Sequence, residues 1–150
     1  MRRSGGLVLG WCLLAAPLAG QAEGADRGSV TVTITGIRTE QAGTLLVALY
    51  DHASAWLILD SARAVRRIPV VADSATTAFD SLPADPGYAI AVIHDRNGND
   101  KLDMRWFPFP KPKEGAGVSN DHVRMGRPRY ADARFAVNGA SRPLRIRLRY

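Results

Sequence analysis

Hydrophobic and polar residues alternate one for one through residues 29–37. Val30, Val32 and Ile34 fall on one side, Thr31, Thr33 and Thr35 on the other. A period of two predicts a strand with one buried face. Residues 44–50, TLLVALY, are apolar on both faces, which predicts a central strand. Residues 51–60 carry Trp56, Leu57 and Leu59 and suit one helical turn. A third strand is expected at 64–71, on a sheet edge, because Pro69 cannot donate to a ladder. Asp73-Ser74 then turns the chain into a strand at 75–79. The stretch LPADPGY at 82–88 reads as a turn leading into a strand, with proline presetting the bend and Gly87 permitting positive φ. Residues 88–94 form the most apolar strand. Residues 95–129 show no strand or helix period and read as one long irregular segment, a length that in a compact domain points to function. Residues 131–137 and 142–150 read as a hairpin across Asn138-Gly139. In the last strand Leu144, Ile146, Leu148 and Tyr150 face inward, and Arg145, Arg147 and Arg149 face out.

About seven short strands with turn signals between them predict an all-β fold, a β-sandwich with one long loop. The 150 residues suit one domain. The N-terminus changes the picture. Arg2 and Arg3 precede an apolar run at 7–16, and small residues follow to Ala22. That is the pattern of a Sec-type signal peptide over 1–22, followed by a linker at 23–28 and the domain at 29–150. The apolar run is shorter than the ~20 residues a bilayer span needs. Gln21 stands where a lipoprotein would carry its lipidated cysteine, so the expectation is a secreted or periplasmic chain that is not a lipoprotein. Cleavage would remove Cys12, the single cysteine, and leave a domain without disulfides. It would also take the net charge from +6 to +4. Much of that charge comes from Arg142, Arg145, Arg147 and Arg149. The row suits an anionic surface or polymer, and equally a solvated strand face.

Candidate chemistry concentrates at residues 94–103, HDRNGNDKLD. Asp95, Asn97 and Asn99 place oxygens at every second residue, Lys101 adds its backbone carbonyl, and Asp103 follows. Calcium takes oxygen ligands from alternating positions of such a loop. Two positions are wrong for that motif: Asp100 stands where glycine belongs, and Trp106 where a bidentate glutamate belongs. The loop would bind calcium only if the following segment returned an oxygen ligand, with Glu114, Asn120 and Asp121 as candidates. The other reading is an Asx-rich turn that bonds its own backbone. Each histidine neighbours an aspartate (Asp51-His52, His94-Asp95, Asp121-His122), which raises a second metal option, although adjacent strand residues face opposite ways. Trp106, Phe107 and Phe109, interleaved with prolines, read as an aromatic ligand platform or as a flap over a sheet edge.

Four segments carry a resemblance in chain order: TVTITGIRTEQAGTLLVALYD, LPADPGYAIAVIHDRNGNDKLD, PKEGAGVSND and ARFAVNGASRPLRIRLRY. Together they resemble the DUF2141 family, small secreted bacterial proteins of unknown function. The resemblance implies an immunoglobulin-like or prealbumin-like β-sandwich and no established activity. The chain departs from the family pattern at 109–112 and near Ala116 and Val118. No nucleophile-elbow, zinc-protease or phosphate-loop motif occurs. The expectation is therefore a binding or accessory module of the cell envelope with an unknown envelope or extracellular ligand and no nucleic-acid partner. The alternative is an enzyme with its site between the 95–129 segment and the strand ends, using His94, Asp95, Asp103 or His122.

Overall fold

Val30, Val32 and Ile34 are fully buried, as their alternation requires, and they sit on β1 (Arg27–Thr35). The computed structural model describes residues 26–106, 108, 110–121 and 126–150. The signal-peptide reading over 1–22 lies outside them. Arg27 and Gly28, read as linker, already belong to β1. The remaining strands are β2 (Thr44–Tyr50), β3 (Ala64–Pro69), β4 (Ser74–Pro83), β5 (Asp85–Asp95), β6 (Met104–Arg105), β7 (Lys111–Pro112), β8 (Ala116–Val118), β9 (Phe135–Val137) and β10 (Ser141–Arg147). The fold is all-β apart from short 3-10 turns and α1 (Tyr130–Ala133).

One sheet has the order β10-β1-β4 and another the order β3-β2-β5-β8, with β9 also on β5; β6 and β7 form a small ribbon. The first two sheets share one core. Val32, Ile34, Phe79 and Ile146 from one meet Leu45, Val47, Leu49, Ile90 and Val92 from the other. Each such side chain contributes roughly 1.5–3 kcal/mol on burial. β2 is central, as its two apolar faces predict, and β3 is an edge strand carrying Pro69.

The second apolar face of β2 and β5 has its own cover. Ala48, Tyr50, Ala89 and Ala91 pack under Trp56, Tyr130 and Ala133. The alanines let the covering segments come close to the sheet. The Trp56 indole donates to Pro128 O at 2.9 Å, and its ring stands edge-on to both Tyr50 and Tyr130.

Three expectations need correction. The 131–137/142–150 hairpin does not form. Residues 130–133 are helical, β9 pairs with β5, and β10 pairs with β1 in parallel, Ser29 opposite Ser141 through Thr35 opposite Arg147. Val137, Ile146 and Leu148 are thereby buried in one core, which outweighs the local turn preference of Asn138-Gly139. Second, the turn at 82–88 is compressed: β4 runs to Pro83, β5 starts at Asp85, and only Ala84 lies between strands of different sheets. The Tyr88 hydroxyl donates to Pro83 O at 3.1 Å across this crossover. Ser81, not Gly87, takes the positive φ, at 55°. Third, the 95–129 segment is not irregular throughout, because β8 joins the five-stranded sheet and β6 and β7 pair.

Candidate functional site

The 95–103 loop begins where β5 leaves the sheet. Asp95 is 2% exposed, and its carboxylate accepts three backbone N–H groups of the loop that follows. Oδ1 takes Gly98 N at 2.8 Å and Asn99 N at 3.3 Å; Oδ2 takes Asp100 N at 2.9 Å. The two asparagines repeat the device one step on. Asn97 Oδ1 accepts Asn99 N, and Asn99 Oδ1 accepts Lys101 N. Their amide groups donate to Asp103, Asn97 Nδ2 to Oδ2 at 2.8 Å and Asn99 Nδ2 to Oδ1 at 3.1 Å. Gly98 and Asp100 take left-handed backbone, φ 73° and 57°, which lets successive N–H groups point inward. The structure therefore brings Asp95, Asn97, Asn99, Lys101 and Asp103 into one network, through donor–acceptor pairs.

The following segment does return a carboxylate. Glu114 is 3% exposed; Oε1 accepts Arg96 N at 2.9 Å and Oε2 accepts Asp103 N at 3.1 Å, so it ties the two ends of the loop together. Asn120 and Asp121 go elsewhere, Asn120 to the carbonyls of Asp132 and Arg134, Asp121 to Arg149. Among the described residues, no group of three or more His, Cys, Asp or Glu side chains is gathered for a metal ion.

Beside the loop lies an open cleft of about 430 Å³ between the 40–42 turn and the 96–114 segment. Arg96 and Lys113 supply its cationic lining, Glu40, Asp103 and Glu114 its anionic lining. Gly43, φ 148°, makes the close approach of the turn possible: a Cβ there would stand 2.4 Å from Asp95 O and 3.0 Å from His94 Nε2. His94 itself is fully buried. Its Nδ1 bonds the Tyr150 hydroxyl at 2.7 Å, that hydroxyl also accepts Arg38 N at 3.1 Å, and among the described residues Nε2 has no well-aligned hydrogen-bond partner. Burial pushes the imidazole pKa below its ordinary value, helped by the Arg96 charge and opposed by Glu114 and the Gln41 and Ala42 backbone.

A family model described as "Uncharacterized protein conserved in bacteria (DUF2141)" matches residues 32–145, which hold the whole loop, Glu114 and most of the core strands. The chain belongs to the DUF2141 family. No curated protein and no solved structure matches it.

In this DUF2141 protein His52 and His94 do not come together. His94 lies opposite Leu45 at one end of β2, and His52 follows Tyr50 at the other. The five residue steps from Leu45 to Tyr50 span roughly 17 Å. His122 lies outside the described residues. Asp51 and His52 do form an oriented pair, Oδ1 to Nδ1 at 2.6 Å, because they sit in a bend and not on a strand. Arg63 completes that cluster at 2.8 Å from Asp51 Oδ2. Partial burial works to raise the Asp51 carboxyl, yet the hydrogen bonds and charges of Arg63 and His52 outweigh it and hold the pKa below the usual carboxylate value. Trp106 is 72% exposed, so it does not act as a flap over the sheet edge; Phe107 and Phe109 lie outside the described residues.

Sequence reasoning found the loop and named Glu114, but it missed Gln41, Lys113 and Tyr150. The turn itself is legible, since Gly43 marks it after residues 38–42. No sequence signal marked Tyr150 as the partner of His94, 56 positions away.

Proposed function

We propose that the protein is an exported binding module of the cell envelope, built as an immunoglobulin-like or prealbumin-like sandwich, whose ligand sits in the cleft beside the 95–103 loop. One observation carries this reading: the loop carboxylates are engaged by N–H groups of the same segment. Asp95 holds three backbone donors, Glu114 two, and Asp103 two side-chain amides. Such a wall is rigid and polar, which favours selective contact. The carboxylates of this wall are committed to holding its shape, and His94 is sealed away from solvent, so among the titratable groups named for the enzyme alternative none is left both exposed and unengaged in the described cleft. The mixed lining suits a small polar ligand carrying both charges.

Calcium is the second reading, favoured by the return of Glu114 beside Asp103. An ion held between the asparagine oxygens and Asp103 would have to replace the amide bonds that Asn97 and Asn99 now make to Asp103. In the proposed reading the loop is ordered without an ion. Titrating the chain lacking residues 1–22 with calcium, magnesium and zinc, by calorimetry and by melting, tests this. The expected result is no heat and no melting shift at millimolar calcium, the range of weak extracellular sites. A calcium-specific shift would replace the Asx-ordered wall with an ion-ordered one, and a zinc-only shift would point to the histidines.

A further inference from the structure

The two sheets differ on their outward faces. The five-stranded sheet is covered by the Trp56 and Tyr130 segments. On the three-stranded sheet, the strand register lines up outward-facing positions in rows: Pro143, Thr31 and Ala78; Arg145, Thr33 and Thr76; Arg147, Thr35 and Ser74. Arg145, Arg147, Thr76 and Ser74 are exposed, and the three β1 threonines are half-buried. Among the described residues, Arg145 and Arg147 have no ion pair or hydrogen bond, whereas Arg63, Arg67 and Arg149 each have an acidic partner. The rows that hold the two free guanidinium groups carry no carboxylate.

We infer that this face binds an acidic polysaccharide, with Arg145 and Arg147 taking its carboxylates and the threonines meeting its hydroxyls. Residues two apart on a strand repeat at about 6.8 Å, and neighbouring strands lie about 4.8 Å apart. The face therefore presents rows of hydroxyls edged by two cations on the same side. Guanidinium groups pair carboxylates in a two-pronged fashion. Without residues 1–22 the chain is still net positive, +4 against +6 for the full sequence, so the approach of an anionic polymer is favoured. The rows hold no aromatic ring on which nucleic-acid bases could stack, and no long apolar side chain to enter a bilayer. A hydroxylated, anionic, extended chain is the occupant that matches both the charge and the hydroxyl rows.

The probe is polygalacturonate, which carries one carboxylate per sugar, titrated into the chain lacking residues 1–22, with single-stranded DNA and phosphatidylglycerol vesicles as comparison arms. The double variant Arg145→Ser/Arg147→Ser is expected to lose at least ~10-fold in affinity, about 1.4 kcal/mol. A charge-matched control, Arg105→Ser/Arg134→Ser, removes two exposed arginines elsewhere and is expected to lose no more than ~2-fold, with binding weakening as salt rises. Circular dichroism and melting verify that both variants fold. Equal losses in the two variants would reduce the effect to net charge and overturn the proposal. So would absence of polygalacturonate binding, or binding confined to DNA or vesicles.

Discussion

Glu114 shows how much one buried side chain can organise. Its two oxygens take the N–H groups of Arg96 and Asp103, the first and last links of the loop. In Glu114→Gln one of those oxygens becomes an NH2 group facing an N–H donor. The expected cost is ~1–3 kcal/mol, the range for a buried donor left unpaired, read from the urea midpoint of variant and parent. His94 makes a second prediction at this scale. Its folded pKa lies below the ordinary 6.5, so between those two values the unfolded chain binds more protons. Stability therefore rises with pH through that window. It falls as pH drops below about 6.5 and levels off once the folded ring also titrates. Urea midpoints measured from about pH 7 down to about pH 5 should decline in the parent. In His94→Gln that part of the decline should vanish. The Asp51 carboxyl, held low by Arg63 and His52, acts in a separate and more acidic window.

Among the elements, β8 depends on one small residue. A Cβ on Gly117 would stand 2.7 Å from Ile146 Cγ2 and 2.8 Å from Arg147 O. The carbonyl is strand backbone and has nowhere to go. Gly117→Ala should therefore cost ~1–3 kcal/mol by overpacking. Gly98→Ala tests the opposite mechanism: the space there is open, φ is 73°, and the left-handed backbone alone should cost ~1–2 kcal/mol. Thermal melting measures both losses, and amide NMR spectra separate crowding from backbone strain, because only the Gly117 change should perturb the signals of β10. The elements also show what a sequence can reveal. β2 was legible because both its faces are apolar, and β3 because of Pro69. The inward Leu144, Ile146 and Leu148 were legible from alternation. Which strand β10 would pair with was not, since Asn138-Gly139 speaks only about neighbours in sequence. The loop was legible for the same reason its bonds are local. The wall opposite it, Gln41 and Lys113, depends on strands meeting in space, and alternation carries no record of that meeting.

At the scale of the whole molecule, β1 is the centre of its sheet and β10 is one of its two neighbours. Ser29 lies opposite Ser141, and Thr35 opposite Arg147, so the pairing closes a loop of most of the chain. Compared with a ten-residue hairpin, closing a loop about eleven times longer costs about 2 kcal/mol more in entropy. That cost must be met before the parallel contacts return anything. Long-range pairing of this kind places folding at the slow end of the two-state range, in milliseconds to seconds. There is also an order in time. A chain emerging from its N-terminus presents β1 more than a hundred residues before the strand that covers one of its edges exists. Until then that edge carries free N–H and carbonyl groups and three valine or isoleucine side chains without their Ile146 and Leu148 cover, the features that recruit other strands. The parallel β1–β10 pair thus makes the finished sheet a late event and leaves one β1 edge of the unfinished chain open to other strands.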